Sequence, residues 1–238
     1  MHITEGMLPV KWAVTWYGVS ALCVAKGLRD LNIKVKTVPA IKQMLGLLGA
    51  AVFIISLLPI PVPIAGTSAH PTGTPLAAIL VGPFLSSILA TVALLLQALF
   101  FAHGGLTTLG ANVLSEGIVG SLVGYLVFRG LRRLGAGLGL AAGIAALLGN
   151  LSVYMATATE LALALHGNQP VWSITWKFML AFLPAQGPLA VLEALVTGGI
   201  IRYINIQRPD ILRHLGVVNE PSPSSDVNFR GDNNVYRG

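Results

Sequence analysis

Long apolar runs broken by short basic or Gly- and Pro-rich stretches make up most of this chain. Six runs read as membrane spans: about Leu8–Leu28, Ile41–Leu58, Phe84–Ala102, Val113–Phe128, Leu138–Leu165 and Leu189–Ile206. Each is close to the roughly 20 apolar residues that cross a hydrocarbon core. A seventh piece, Thr74–Val81, follows the stretch "PIPVPIAGTSAHPTG", whose Pro and Gly residues cannot continue a helix. Its helical rise of about 12 Å is too short to cross a flat bilayer alone. Val171–Leu183 is also apolar, but "PAQGP" interrupts it, so it reads as a lead-in to the last span.

Composition agrees with this pattern. The 238 residues are 54% hydrophobic and 10% charged, with a mean hydropathy of +0.75. A soluble domain carries roughly 25% charged residues. The expected fold is therefore all-α, a polytopic membrane helical bundle. A net charge of +6 raises the question of nucleic acid. The basic residues instead gather at span ends, which points to a lipid bilayer and no nucleic acid. They form three clusters: Lys26, Arg29, Lys34, Lys36 and Lys42; Arg129, Arg132 and Arg133; Arg202, Arg208 and Arg213. All three share one face only if Thr74–Val81 crosses. That gives about seven transmembrane helices in the cell (cytoplasmic) membrane, N-terminus outside and C-terminus cytoplasmic. Residues 1–206 form the membrane-embedded domain. Residues 207–238 form a polar cytoplasmic tail, expected to be disordered. The start lacks a basic n-region, which leaves open whether a short N-tail is translocated or a precursor is cleaved before Met1. One cysteine, Cys23, gives neither a disulfide framework nor a cysteine metal cluster. Small residues at Gly46/Ala50, Gly120/Gly124 and Gly139/Gly143 suit close helix packing, inside the subunit or against a partner.

The candidate chemistry lies at the outer side, where this topology places His2, His70, His103 and His166. His214 falls in the cytoplasmic tail. A free amine at Met1, the amide nitrogen of His2 and Nδ1 of His2 can close two fused chelate rings around one metal ion. One further imidazole completes a square of nitrogens, which favours Ni(II) or Cu(II). The amide must lose its proton, so binding should weaken in acid. His70, in "AGTSAHPTGTP", is the candidate fourth ligand, with Ser68 and Ala69 leaving room for close approach. The competing reading makes His2 an ordinary polar residue at a membrane end and His70 a locally bonded loop histidine. His103, Thr107 and Asn112 of "HGGLTTLGAN" are expected to order the loop or orient ligands from outside, as is Ser68. His166 reads as a plain loop residue. Gln97, Glu116, Asn150, Glu160 and Glu193 lie in or near spans, where ionisable residues are functional candidates and helix-packing hydrogen bonds the competing role. No HExxH, GxSxG or P-loop appears, so no catalytic residues are assigned and nucleotide hydrolysis would need another chain.

"MHITEGMLP", "HPTGTPLAAILVGP" and "LLQALFFAHGGLTTLGAN" together resemble the cobalt/nickel substrate-capture (S) subunit of energy-coupling-factor transporters, the CbiM/NikM family. "PLAVLEALVT" is similar to its last-helix segment, and the resemblance runs from Met1 to Ile206. It implies a seven-helix membrane subunit of an ABC importer, not an enzyme, with Met1, His2 and His70 holding Ni2+ or Co2+ as transported substrate and no organic cofactor. It also implies partners: a transmembrane coupling (T) subunit, a cytosolic ATPase pair and a small accessory membrane subunit. Ala69 replaces the Cys or Ser common before the loop histidine, and Pro75 stands where Gly is common. Neither removes a ligand. The square-planar argument favours nickel slightly. The alternatives are an S-type subunit for an organic micronutrient such as a vitamin, and an intramembrane metal-dependent hydrolase.

Overall fold

The computed structural model describes residues 2–37, 41–57, 60–62 and 67–218. Met1, the expected amine ligand, and residues 219–238 of the expected tail lie outside the described residues. Among the described residues eight helices carry the fold. They are α1 Val10–Thr37, α2 Ile41–Ser56, α3 Thr74–Val81, α4 Pro83–Phe100, α5 Leu109–Arg133, α6 Leu138–Leu165, α7 Val171–Gln207 and α8 Pro209–His214. Three short strands form one antiparallel sheet in the order β1 His2–Ile3, β3 Thr67–Ala69, β2 Ile60–Val62. Helices α4 to α7 are each long and apolar enough to cross a membrane, and α2 is a shorter apolar helix. Large apolar side chains point outward along them, among them Leu47, Ile54, Leu99, Leu140, Leu180 and Leu195. Lipid rather than water suits such a surface.

The short helix α3 is explained by where it starts. Every residue from Thr67 to Val81 is buried. The strand β3 and the His70 segment therefore run inside the protein, and α3 starts within it. Non-helical backbone at that depth is tolerated because protein surrounds it. The chain leaves α3 at Gly82, whose φ of 96° a side chain would oppose, and Pro83 starts α4. The Lys34 ammonium at the basic end of α1 donates to the Val81 carbonyl at 2.9 Å, tying the end of α3 to that basic region.

Helices α5 and α6 cross closely because both carry glycine at the contact. A Cβ on Gly120 would lie 2.5 Å from Cγ2 of Val153, and one on Gly149 would lie 3.0 Å from the Gly120 carbonyl. Gly124, Gly139 and Gly143 pack internally in the same way, against Pro75, Arg202 and Ala194. Gly46 faces open space and Ala50 is exposed, so that pair does no internal packing among the described residues. Residues Val113–Gly120 of α5 form a π-helical stretch, a wide turn that often marks a functional position.

The expected break at "PAQGP" does not occur: α7 runs for 37 residues through Pro184 and Pro188. Tertiary packing outweighs the two lost amide donors. Phe182, Gln186, Leu189, Ala190 and Glu193 are buried, and Gln186 Nε2 donates to Asn150 Oδ1 of α6 at 2.6 Å. The polar region after Ile206 is folded as far as Val218. Leu212 of α8 is fully buried and joins the core made with Leu80, Phe128 and Ile201. A second core, containing Ile3, Ala69, Tyr154, Leu161 and Phe182, underlies the sheet.

Candidate metal site

The sheet brings two distant histidines together. His2 pairs with Ser68 and Ile3 with Thr67, so His70 follows directly beside β1. Both rings are fully buried, with centroids 4.3 Å apart. The loop between α4 and α5 adds the partly buried His103, whose ring centroid is 4.3 Å from that of His2 and 5.3 Å from that of His70. This loop lies directly on the N-terminal segment. A Cβ on Gly105 would fall 2.3 Å from Glu5 Oε2, and Gly104 has a φ of 78°. Only glycine fits that approach and that turn.

One ring nitrogen from each histidine converges on a common point, all within 4.8 Å of one another. His70 Nδ1 is 2.8 Å from the Pro71 carbonyl, a bond only an Nδ1–H can make, so Nε2 keeps its lone pair. His103 Nε2 lies 3.2 Å from His2 Nδ1 and 2.7 Å from Ser68 Oγ. Burial, joined by nearby positive charge, holds the His2 and His70 rings well below the usual imidazole range. The same causes bring His103 down to about 4. All three are then neutral at pH 7, the form that binds metal.

A carboxylate faces this cluster. Glu116 Oε2, in the π-helical stretch of α5, lies 3.3 Å from His2 Nε2 and 3.6 Å from His70 Nε2. These are ion-pair distances without the alignment of a hydrogen bond, since both nitrogens lack a hydrogen-bond partner among the described residues. Thr74 Oγ1 donates to the Glu116 carbonyl at 3.1 Å and fixes this turn of α5 against α3.

Polar side chains hold the backbone that carries the histidines. Asn112 accepts the Ile3 N–H at Oδ1 (2.8 Å) and donates from Nδ2 to the Ile3 carbonyl (3.1 Å). Thr108 Oγ1 donates to that carbonyl at 2.8 Å. The Thr107 amide donates to both oxygens of Glu5, at 3.3 and 3.1 Å. Behind His70, Glu193 accepts from the Thr72 amide, the Thr72 hydroxyl, the Gly73 amide and Asn150 Nδ2, all between 2.6 and 2.9 Å.

The expected site residues other than Met1, which lies outside the described residues, fall close together. His2, His70 and Ser68 meet as the sequence suggests. His103 joins His2 and His70 in one cluster of ring nitrogens. Asn112 holds the Ile3 backbone, and Thr107 holds the Glu5 carboxylate and accepts the Gly6 amide, neither bonding to an imidazole. His166 and His214 are remote from this cluster and bond the carbonyls of Gln169 and Asp210. Glu116 is one of five polar residues the sequence marks in or near the spans, and nothing in its spacing selects it. Only the antiparallel pairing of β1 with β3 brings the histidines to it.

Known proteins share this arrangement of sequence and fold. Residues 2–211 match a family model described as cobalt uptake substrate-specific transmembrane region. A cobalt transport protein CbiM of Geobacter sulfurreducens is 50% identical over 94% of this chain, which spans 65% of that protein's length. One from Sorangium cellulosum is 46% identical, over 92% of this chain and 97% of its own. A crystal structure of a truncated transition metal transporter superposes with a TM-score of 0.74 at 29% identity, covering 86% of this chain and 98% of its own. A buried histidine cluster, four long apolar spans and these matches over nearly the whole chain place it in the cobalt uptake substrate-specific transmembrane family, as a multi-pass membrane transport subunit and not an enzyme.

Proposed function

We propose that this chain captures a divalent transition metal, Co2+ or Ni2+, at the outer face of the membrane for ATP-driven uptake. Its seven helices α1–α7 cross the bilayer with the N-terminus outside and the C-terminus cytoplasmic. A transmembrane coupling subunit, a pair of cytosolic ATPases and a small accessory membrane subunit complete the importer. The relatives' names support cobalt. The buried convergence of His2, His70 and His103 beside Glu116 carries the reading.

The Met1 amine, the His2 amide nitrogen and His2 Nδ1 form the chelate, and His70 Nε2 completes the plane. Four nitrogens in a plane favour nickel slightly. One added residue before Met1 moves the amine away from His2 and tests this directly. Calorimetry with Ni2+ and Co2+ should show binding lost in the extended chain and in His70→Ala. Undiminished affinity in the extended chain rules the chelate out.

A second reading is a three-imidazole site of His2, His70 and His103, favoured by the 4.8 Å limit on their nitrogens. It predicts that the extended chain still binds and that His103→Ala does not.

A further inference from the structure

Three buried oxygen-bearing side chains on α6 make no hydrogen bond to the histidine cluster. Glu160 is 3% exposed, Thr157 0% and Tyr154 2%. Among the described residues, neither carboxylate oxygen of Glu160 has a hydrogen-bond partner, and neither hydroxyl does. Thr157 is the more telling because threonines in helices usually bond the carbonyl four residues back. Thr91, Thr159 and Thr175 all do so here. The Thr157 hydroxyl makes no such bond. Tyr154, Thr157 and Glu160 follow one another at a spacing of three, which puts neighbours on a helix surface roughly 5–6 Å apart at Cβ. The other buried carboxylates beside the site are engaged: Glu193 holds the Thr72 backbone, and Glu116 faces two imidazoles.

Packing places this stripe at about the level of the metal site along the helices. Gly120 of α5 meets Val153 and Gly149 of α6, while Gly124 meets Ala145. The helices are therefore antiparallel, and each step back along α5 is a step forward along α6. Glu116 then lies near the level of Thr157, and Asn112 near that of Glu160. Tyr154 shares the apolar core of Ile3, the residue after His2.

We propose that Glu160, Thr157 and Tyr154 form an oxygen-lined transfer site that receives a hydrated divalent cation and passes it to the histidines. Buried polar groups with no partner call for an ion or water. A carboxylate with two hydroxyls suits a cation that keeps most of its water, because hard oxygen ligands hold late first-row metals more weakly than imidazoles do. Weak holding beside tight ligands allows onward transfer. The proposal rests on the histidines being the capture site.

The test uses the full chain in lipid nanodiscs, with stopped-flow Co2+ loading, equilibrium titration with Co2+ and Mn2+, and thermal unfolding without metal. Glu160→Gln should slow Co2+ loading by at least about 10-fold, the low end of what focused charge contributes to capture. Its tight Co2+ affinity should fall far less than that of His70→Ala, because Glu160 supplies none of the converging nitrogens. A weaker Mn2+ equivalent seen in the native chain should disappear in Glu160→Gln and in Thr157→Val. The melting temperature should hold or rise, since a buried carboxylate with no hydrogen-bond partner among the described residues is removed. Unchanged loading, or a lowered melting temperature that marks Glu160 as a structural partner, overturns the transfer site. His70→Ala separates the two readings. If it loses tight binding while Glu160→Gln loads normally, only the transfer site falls. If it keeps tight binding, the histidine reading falls and takes this one with it.

Discussion

Glu116 Oε2 stands 3.3 Å from Nε2 of His2, in a pocket where both side chains are almost wholly buried. Neutral imidazoles bring no charge to balance a divalent cation taken out of water, and a buried charge without compensation is costly. The Glu116 carboxylate is placed to supply that balance to His2 and His70 together. Glu116→Gln keeps the volume and removes the charge. It should weaken metal binding by about 10- to 100-fold, the usual effect of losing a group that supports metal ligands. The absorption band of bound Co2+ should keep its position if Glu116 does not itself coordinate. Equal affinities for native and variant chains would defeat this assignment.

The Asn112 amide grips both polar groups of the Ile3 peptide, one residue from His2. Asn112→Ala leaves a buried N–H and weakens the hold on the carbonyl, at a cost of about 1–3 kcal/mol in stability. Asn112→Asp keeps the acceptor but sets a buried carboxylate against the Ile3 carbonyl, so its loss should be larger. Metal affinity should fall in the same order, because β1 sets the place of the His2 ring. Thermal unfolding and calorimetric titration of the two variants provide the comparison. A destabilised Asn112→Ala that binds metal as well as the native chain would separate Asn112 from the site.

The spans were readable because each needs only a local apolar run, and α4 and α6 lie within a few residues of the runs in the sequence. The short α3 was also readable, as the apolar piece Thr74–Val81 set between Gly- and Pro-rich breaks. The continuity of α7 was not, because its contacts with Asn150 come from a different helix 36 residues away in sequence. The site divides along the same line. His2 and His70 sit in distinctive local stretches. The approach of His103 depends on a loop folding over Glu5, and that of Glu116 on a π-helical turn. Both follow from long-range packing that periodicity does not encode.

The metal-free protein should lose stability in mild acid. His103 falls to about 4 in the fold, with His2 and His70 also well below their usual range, mainly through burial. An unfolded histidine titrates near 6.5. Between these values the unfolded chain binds more protons, so unfolding is favoured as pH falls and stability rises with pH. Melting temperatures taken without metal should drop from about pH 6.5 toward pH 4 and be steadier above pH 7 as far as these rings are concerned. Replacing His103 with Gln should reduce the slope between pH 4 and 6.5. An unaltered slope would mean that His103 is not held neutral by the fold.

Nickel and cobalt should separate at His103. Its Nε2 lies 3.2 Å from His2 Nδ1, close enough to reach a metal ion held by the proposed chelate and His70. A planar set of four nitrogens satisfies Ni(II), whereas an added imidazole suits an ion that accepts higher coordination. His103→Ala should therefore cost Co2+ binding more than Ni2+ binding. A tenfold change in their ratio corresponds to about 1.4 kcal/mol, a modest value for one ligand. Competitive titration of both ions against the native and variant chains measures that ratio. Ser68→Ala provides the gentler perturbation: it removes the hydroxyl 2.7 Å from His103 Nε2 and leaves the ring in place. It should shift the ratio in the same direction by a smaller amount. If both variants weaken the two ions equally, His103 acts on the common ligand His2 and not on the choice of metal.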